Sequence, residues 1–278
     1  MSGAGIHPNA LVSSEAEIGE NVSVGPFTVV EGGVVIGAGT TLHAQSYVCR
    51  GTTLGRDNVV HMGVTLGHEP QDLGYDGAPT RVMIGDRNVF REGVTVHRGT
   101  APDSETRIGD DCFFMANSHV AHNCVVEDGV MLANGALLGG HVFVGTRAFV
   151  SGNAVVHQHM RVGRLAMLQG GSAVSRDAPP FCIVSELNVL RGVNVVGLRR
   201  AGLDRARIAS VRRAYRALFF GRPNLGRARE RLRAEIEGAA EGTPEVVHLL
   251  EFLGSGSHGF CAAEGPVRRL ADESGSPG

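Results

Sequence analysis

The chain has 278 residues, 42% of them hydrophobic and 19% charged, with a net charge of −2. This is globular composition, with no 18-residue apolar run to span a membrane and no overall basic charge to suit nucleic acid. Trp is absent and aromatics make up 5%, while Gly numbers 40, so the core must be built from small and branched aliphatics. The five cysteines are scattered and none forms a C-x-x-C, which excludes a disulfide framework or zinc cluster. The N-terminus has neither a basic nor an apolar signal region, so a soluble cytoplasmic protein without stable membrane insertion is expected.

From Ile6 onward an apolar residue returns every sixth position: Val12, Ile18, Val24, Val30, Ile36, and so on to Val174. Of the 29 multiples of six in that stretch, only Asp72, Ala78 and Pro102 break the pattern. Glycine often follows the repeated aliphatic, as at Gly19, Gly37, Gly85 and Gly145. Short strands with one inward aliphatic, joined by tight corners, account for the pattern. Three hexads then close one 18-residue turn of a parallel β-helix, and about ten turns stack at ~4.8 Å.

Two stretches, 67–80 and 98–107, keep the count of six but lose the aliphatic, so they read as excursions from the coil. Long loops on a rigid scaffold are where function concentrates. Beyond "DAPPFCIV" the period changes to three and four. Asp204 can cap a helix carrying Ile208, Val211, Tyr215 and Leu218; Asn224 can cap a second, and Thr243 with Pro244 a third. The expected organisation is a β-helix over 1–190, a helical domain over 191–261 and a disordered tail over 262–278. Residues 199–233 hold twelve Arg against Asp204 and Glu230, a net of +10. That cluster reads as a solvated helical face or as a docking patch for an acidic partner.

The chemistry concentrates around "NSHVAHNC", 117–124. With Val120 inward, alternation sends His119 outward, and His122 falls at the next corner. His119, His122, His141, His157 and His159 all avoid the inward register. His122, Gly140 and Gln158 are spaced by 18, so they stack on one corner. An imidazole beside a glycine N–H suits acyl transfer: one removes a proton from a hydroxyl while the other stabilises an oxyanion. Cys124 reads as packing. A three-His zinc site of the carbonic anhydrase kind is the alternative, although the spacing here is H-x2-H instead of that family's H-x4-H.

"APTRVMIGDRNVFREGVTVHRGT", "NSHVAHNC", "GGHVFVG", "VVHQ", "NVLRGVNVVGLRRAGL" and "FLGSGSHGFC" resemble the acyl-carrier-protein-dependent UDP-N-acetylglucosamine O-acyltransferases of lipid A biosynthesis, over residues 5–260. The resemblance implies a left-handed β-helix, a homotrimer with active sites between subunits, and no cofactor. It implies transfer of an (R)-3-hydroxyacyl chain from acyl carrier protein to the 3-hydroxyl of UDP-N-acetylglucosamine, the first step of that pathway. It assigns the general base to His122 and the oxyanion donor to Gly140. Asp72, His119, His141 and Gln158 fall around the sugar and thioester, Asn194 and Arg200 near the nucleotide phosphates or the carrier, and Gly170 where acyl length is set. The sequence departs from the family pattern at four positions: Asn123 stands for Asp, Gly74 for Lys, Val196 for Glu and Ala201 for Arg. A relative acylating another sugar nucleotide is the further alternative. The sister N-acyltransferase also carries Asn after its histidine, but this chain shows no counterpart of its uridine-binding domain.

Overall fold

A computed structural model describes residues 5–220, 225–237 and 244–263. Twenty-six short strands wind into a three-sided parallel β-helix, followed by a hairpin and four helices. The three sheets begin with Gly5–Ile6 (sheet A), Leu11–Val12 (sheet B) and Glu17–Ile18 (sheet C). Pairing follows the 18-residue turn: Ile6 lies against Val24, Val12 against Val30 and Ile18 against Ile36. The multiples of six are the core, with Val60, Leu66, Val96, Phe114, Val120 and Leu132 at 0% exposure. Phe90 and Phe114 stack with centroids 4.8 Å apart, filling the width where two coils carry rings.

Glycine serves two separate needs in this coil. After the inward aliphatic, neighbouring turns approach so closely that a Cβ on Gly19 would lie 2.6 Å from Ala38 N. Two residues later the corner backbone is left-handed, as at Gly33, Asn123, His141 and His159. Asn and His tolerate that region better than branched residues do, which lets functional side chains occupy corners.

Both excursions leave the coil at one edge, the corner from sheet B to sheet C. Leu54 pairs with Ile84, 30 residues on, and Ile84 with Ile108, 24 residues on, so the insertions add twelve and six residues to the 18. They brace one another: Arg98 donates to Glu69 Oε1 at 3.1 Å and to Tyr75 Oη at 3.0 Å, and Asp103 N–H donates to Pro79 O.

At the far end, Cys182–Ser185 and Val189–Val193 form an antiparallel hairpin on sheet A. Helix α1 (Val195–Arg200) follows, then α2 (Arg205–Phe219), α3 (Leu225–Glu237) and α4 (Pro244–Gly254). Asp204 caps α2 by accepting from Arg207 N–H, and Ile208, Val211, Tyr215 and Leu218 form its buried stripe. The expected caps Asn224 and Thr243 lie outside the described residues. Arg161 clamps α4 to the coil: it pairs with the fully buried Asp177 at 2.7 Å, donates to Phe252 O and lies over the Phe252 ring. Ala262, where the disordered tail was expected to begin, still bridges to Val189; residues after 263 lie outside the description.

Candidate active site

His119 stands on the strand His119–Val120 of sheet B, and His122 on the corner that follows. Stacking places the next corners directly above: His141 N–H donates to His122 O, and His159 N–H to Gly140 O, both at 2.9 Å. Gly140 is buried against the His122 ring, and a Cβ there would stand 2.5 Å from His122 Nε2. His141 lies edge-on to His122 at 5.3 Å and stacks on His159 at 4.7 Å. The longer excursion returns Asp72 to this corner, its Oδ2 3.9 Å from His122 Nε2. His122 Nδ1 faces Asn123 Oδ1 at 3.0 Å.

Among the described residues no acceptor engages the Gly140 N–H. Elsewhere in the coil the N–H at the equivalent corner position binds carboxylates. Glu31 accepts from Arg50, Asp86 from Arg56, Asp110 from Asp86, Asp128 from Asp110 and Glu127 from Thr146, at 2.7–2.8 Å. At these five corners the repeat thus presents an N–H that binds an anion, and at Gly140 the equivalent N–H lies beside an imidazole.

His119 Nδ1 is bonded to Thr95 Oγ1 at 2.7 Å. Behind it lies His97, edge-on to His119 at 4.9 Å and only 6% exposed. Sequence reasoning did not single out His97, because histidine also follows the inward aliphatic at His7, His43, His61 and His157. Burial, with His119, His68 and His122 nearby, pulls its pKa from 6.5 down to about 4. Burial also lowers the pKa of His119, with help from His122, and that of His141, with help from His159 and His122. Because the unfolded chain protonates His97 near 6.5 and the native state near 4, its contribution to stability is complete above pH 6.5 and is lost as pH falls toward 4. The loss should approach about 3 kcal/mol. Urea midpoints at pH 7 and pH 5 should therefore differ less in His97→Gln than in the parent; equal acid sensitivity would contradict this.

The remaining expected residues lie elsewhere on the chain. Gly170 is at a corner from sheet A to sheet B, where an added Cβ would meet nothing nearer than Gly152 O at 3.4 Å. Asn194 caps α1: its Oδ1 accepts from Gly197 N–H and its Nδ2 donates to Leu165 O, both at 2.9 Å, so both amide ends are engaged inside the fold. Arg200 is exposed at the end of α1, its carbonyl accepting from Arg147. Leu165 and Arg147 belong to the corner from sheet C to sheet A. One chain thus brings together Asp72, His119, His122, Gly140, His141 and Gln158 but not Asn194, Arg200 or Gly170. Cys124 is buried and donates to Gly139 O at 3.1 Å, and its pKa is pushed up to about 12 by burial, which leaves it inert packing. Among the described residues no three His, Cys, Asp or Glu side chains gather as metal ligands, and no helix is long and apolar enough to cross a membrane.

The repeat and the three-sided coil it forms are those of the hexapeptide-repeat transferases. Residues 105–140 match the bacterial transferase hexapeptide model, and residues 177–261 match domain 2 of UDP N-acetylglucosamine O-acyltransferase. The acyl-[acyl-carrier-protein]–UDP-N-acetylglucosamine O-acyltransferase of Alkalilimnicola ehrlichii is 48% identical over 258 residues, covering 92% of this chain and 98% of that protein. The enzyme of the same name from Halorhodospira halophila is 43% identical over 257 residues, with the same coverage. The solved UDP-N-acetylglucosamine acyltransferase of Campylobacter jejuni superposes with a TM-score of 0.87 at 31% identity, covering 94% of this chain and 100% of that one. The chain belongs to the UDP-N-acetylglucosamine O-acyltransferase family.

Proposed function

We propose that the protein transfers an (R)-3-hydroxyacyl chain from acyl carrier protein to the 3-hydroxyl of UDP-N-acetylglucosamine in the cytoplasm, opening lipid A biosynthesis. The observation that carries this reading is the His122–Gly140 contact, a base and an unengaged N–H within reach of one reacting carbonyl. The sugar hydroxyl enters between His122 Nε2 and Asp72. As Nε2 takes its proton, the oxygen attacks the thioester carbonyl, and the oxyanion forms against Gly140 N–H. Collapse breaks the C–S bond, and the imidazolium returns the proton to the departing thiolate. His119, His141 and Gln158 line the approach. The direct test is mass spectrometry of purified protein supplied with acyl-carrier thioesters and UDP-N-acetylglucosamine. Absence of an acylated nucleotide with a hydroxyacyl donor would end the proposal.

Three corners hold three sets of family-matched residues, and a homotrimer with sites between subunits would unite them. Sedimentation as a monomer at micromolar concentration would remove that arrangement. Arg200, Arg212 and Arg216 are exposed on α1 and α2, which suits docking of an acidic carrier. Replacing all three by Ala should raise KM for the carrier thioester at least tenfold, with less effect on the sugar nucleotide, and the difference should shrink in high salt. Equal effects on both substrates would contradict the assignment.

Gly170 stands where the family resemblance sets acyl length, and the absence of a side chain there leaves room for a longer chain. Donors of about twelve carbons or more should be preferred, each buried methylene contributing about 0.8 kcal/mol. A ten-carbon thioester outpacing a fourteen-carbon one would show that the space is filled.

A further inference from the structure

Asn123 is an amide where its surroundings suit a carboxylate. Its Oδ1 accepts from Thr100 N–H at 3.1 Å and from Thr100 Oγ1 at 3.0 Å, and faces His122 Nδ1 at 3.0 Å. Its own backbone N–H donates to the fully buried Thr106 Oγ1 at 2.8 Å, so the shorter excursion grips this residue from both ends.

We propose that Thr100 is the positioning residue that sets the tautomer of His122, an inference resting on the reading of His122 as the base. A carboxylate has two equivalent oxygens and cannot be turned the wrong way round. An amide can, and a flipped Asn123 would present its NH2 to His122 Nδ1. The ring would then carry its proton on Nε2, facing the substrate, and could not act as a base. A hydroxyl that turned to accept from a flipped NH2 would give up Asn123 Oδ1, the acceptor its own proton now has, and a backbone N–H can only donate. Thr100 N–H therefore holds the amide oxygen inward, and Thr100 Oγ1 adds a second bond to the same atom. The oxygen so placed requires Nδ1–H on His122 and leaves the lone pair on Nε2, toward Asp72. The excursion that interrupts the hexads thus supplies the reference that an Asp at 123 would not need.

The test is a double-mutant cycle joined to a spectroscopic readout. Thr100→Val removes one of the two holding bonds. It should lower kcat about 3–10-fold, the worth of one hydrogen bond, with KM for both substrates within twofold. Thr100→Ser should restore kcat. In an Asn123→Asp background Thr100→Val should cost less than twofold, because neither carboxylate oxygen is the wrong one. Nitrogen-15 NMR of the histidine-labelled full chain should show the neutral His122 ring protonated on Nδ1, with a mixture of tautomers in Thr100→Val. A parent ring protonated on Nε2, a loss below twofold in Thr100→Val, or the same loss in both backgrounds would overturn the proposal. The spectrum needs no turnover, so failure of His122 as the base would show separately, as activity surviving in His122→Ala.

Discussion

His122→Ala should lower kcat by about 10²–10⁴-fold, with KM for both substrates little changed. The ring is the one imidazole in the cluster that combines a partner at Nδ1, a carboxylate near Nε2 and a place against the face of Gly140 where a Cβ would stand. Removing it leaves the fold intact, because the inward core residues of that coil, Val120 and Cys124, are untouched. The rise in rate on the acid side of the pH–rate profile, which a general base produces as it loses its proton, should also vanish in the variant. His119→Ala should cost less, since His119 Nδ1 is bonded to Thr95 and the residue's proposed part is to hold substrate. Near-native turnover in His122→Ala would move the chemistry elsewhere.

Much of this site could be read before any coordinates, because a period of six places every residue modulo six. Counting alone puts Val120 inside, His119 on the outer face of sheet B and His122 beneath Gly140, and the pairing of His119 with Leu137 agrees. It also finds both excursions, since Asp72, Ala78 and Pro102 break the run. Counting cannot give the path of an inserted segment, which depends on contacts far apart in sequence. Asp72 is placed beside His122 by the resemblance and not by counting, while the bracing of Arg98 against Tyr75 and Glu69 and the grip of Thr100 and Thr106 on Asn123 are illegible for that reason. His97 was missed because a residue off the inward register was taken to be outside, whereas it is 6% exposed among other histidines. Helix α1 was also unread: six residues carry too little periodicity to announce a helix.

Gly140→Ala should lower kcat by about 10²-fold while leaving the melting temperature within a few degrees of the parent. The backbone at Gly140 is not left-handed, so alanine meets no conformational strain there. What it meets is the base: the new methyl would stand 2.5 Å from His122 Nε2, where carbon needs more than 3 Å. The ring must give way, and it can, because the atoms met belong to a side chain and not to the backbone. A displacement of about 1 Å at the reacting atom is enough for a loss of that size. Gly139→Ala is the contrasting variant. There the methyl would lie 2.7 Å from Gln158 N, a backbone atom of the next coil that cannot swing aside. Gly139→Ala should therefore lose stability, whereas Gly140→Ala should lose turnover. If Gly140→Ala stays within threefold of the parent, the imidazole does not rest on Gly140 in the working enzyme.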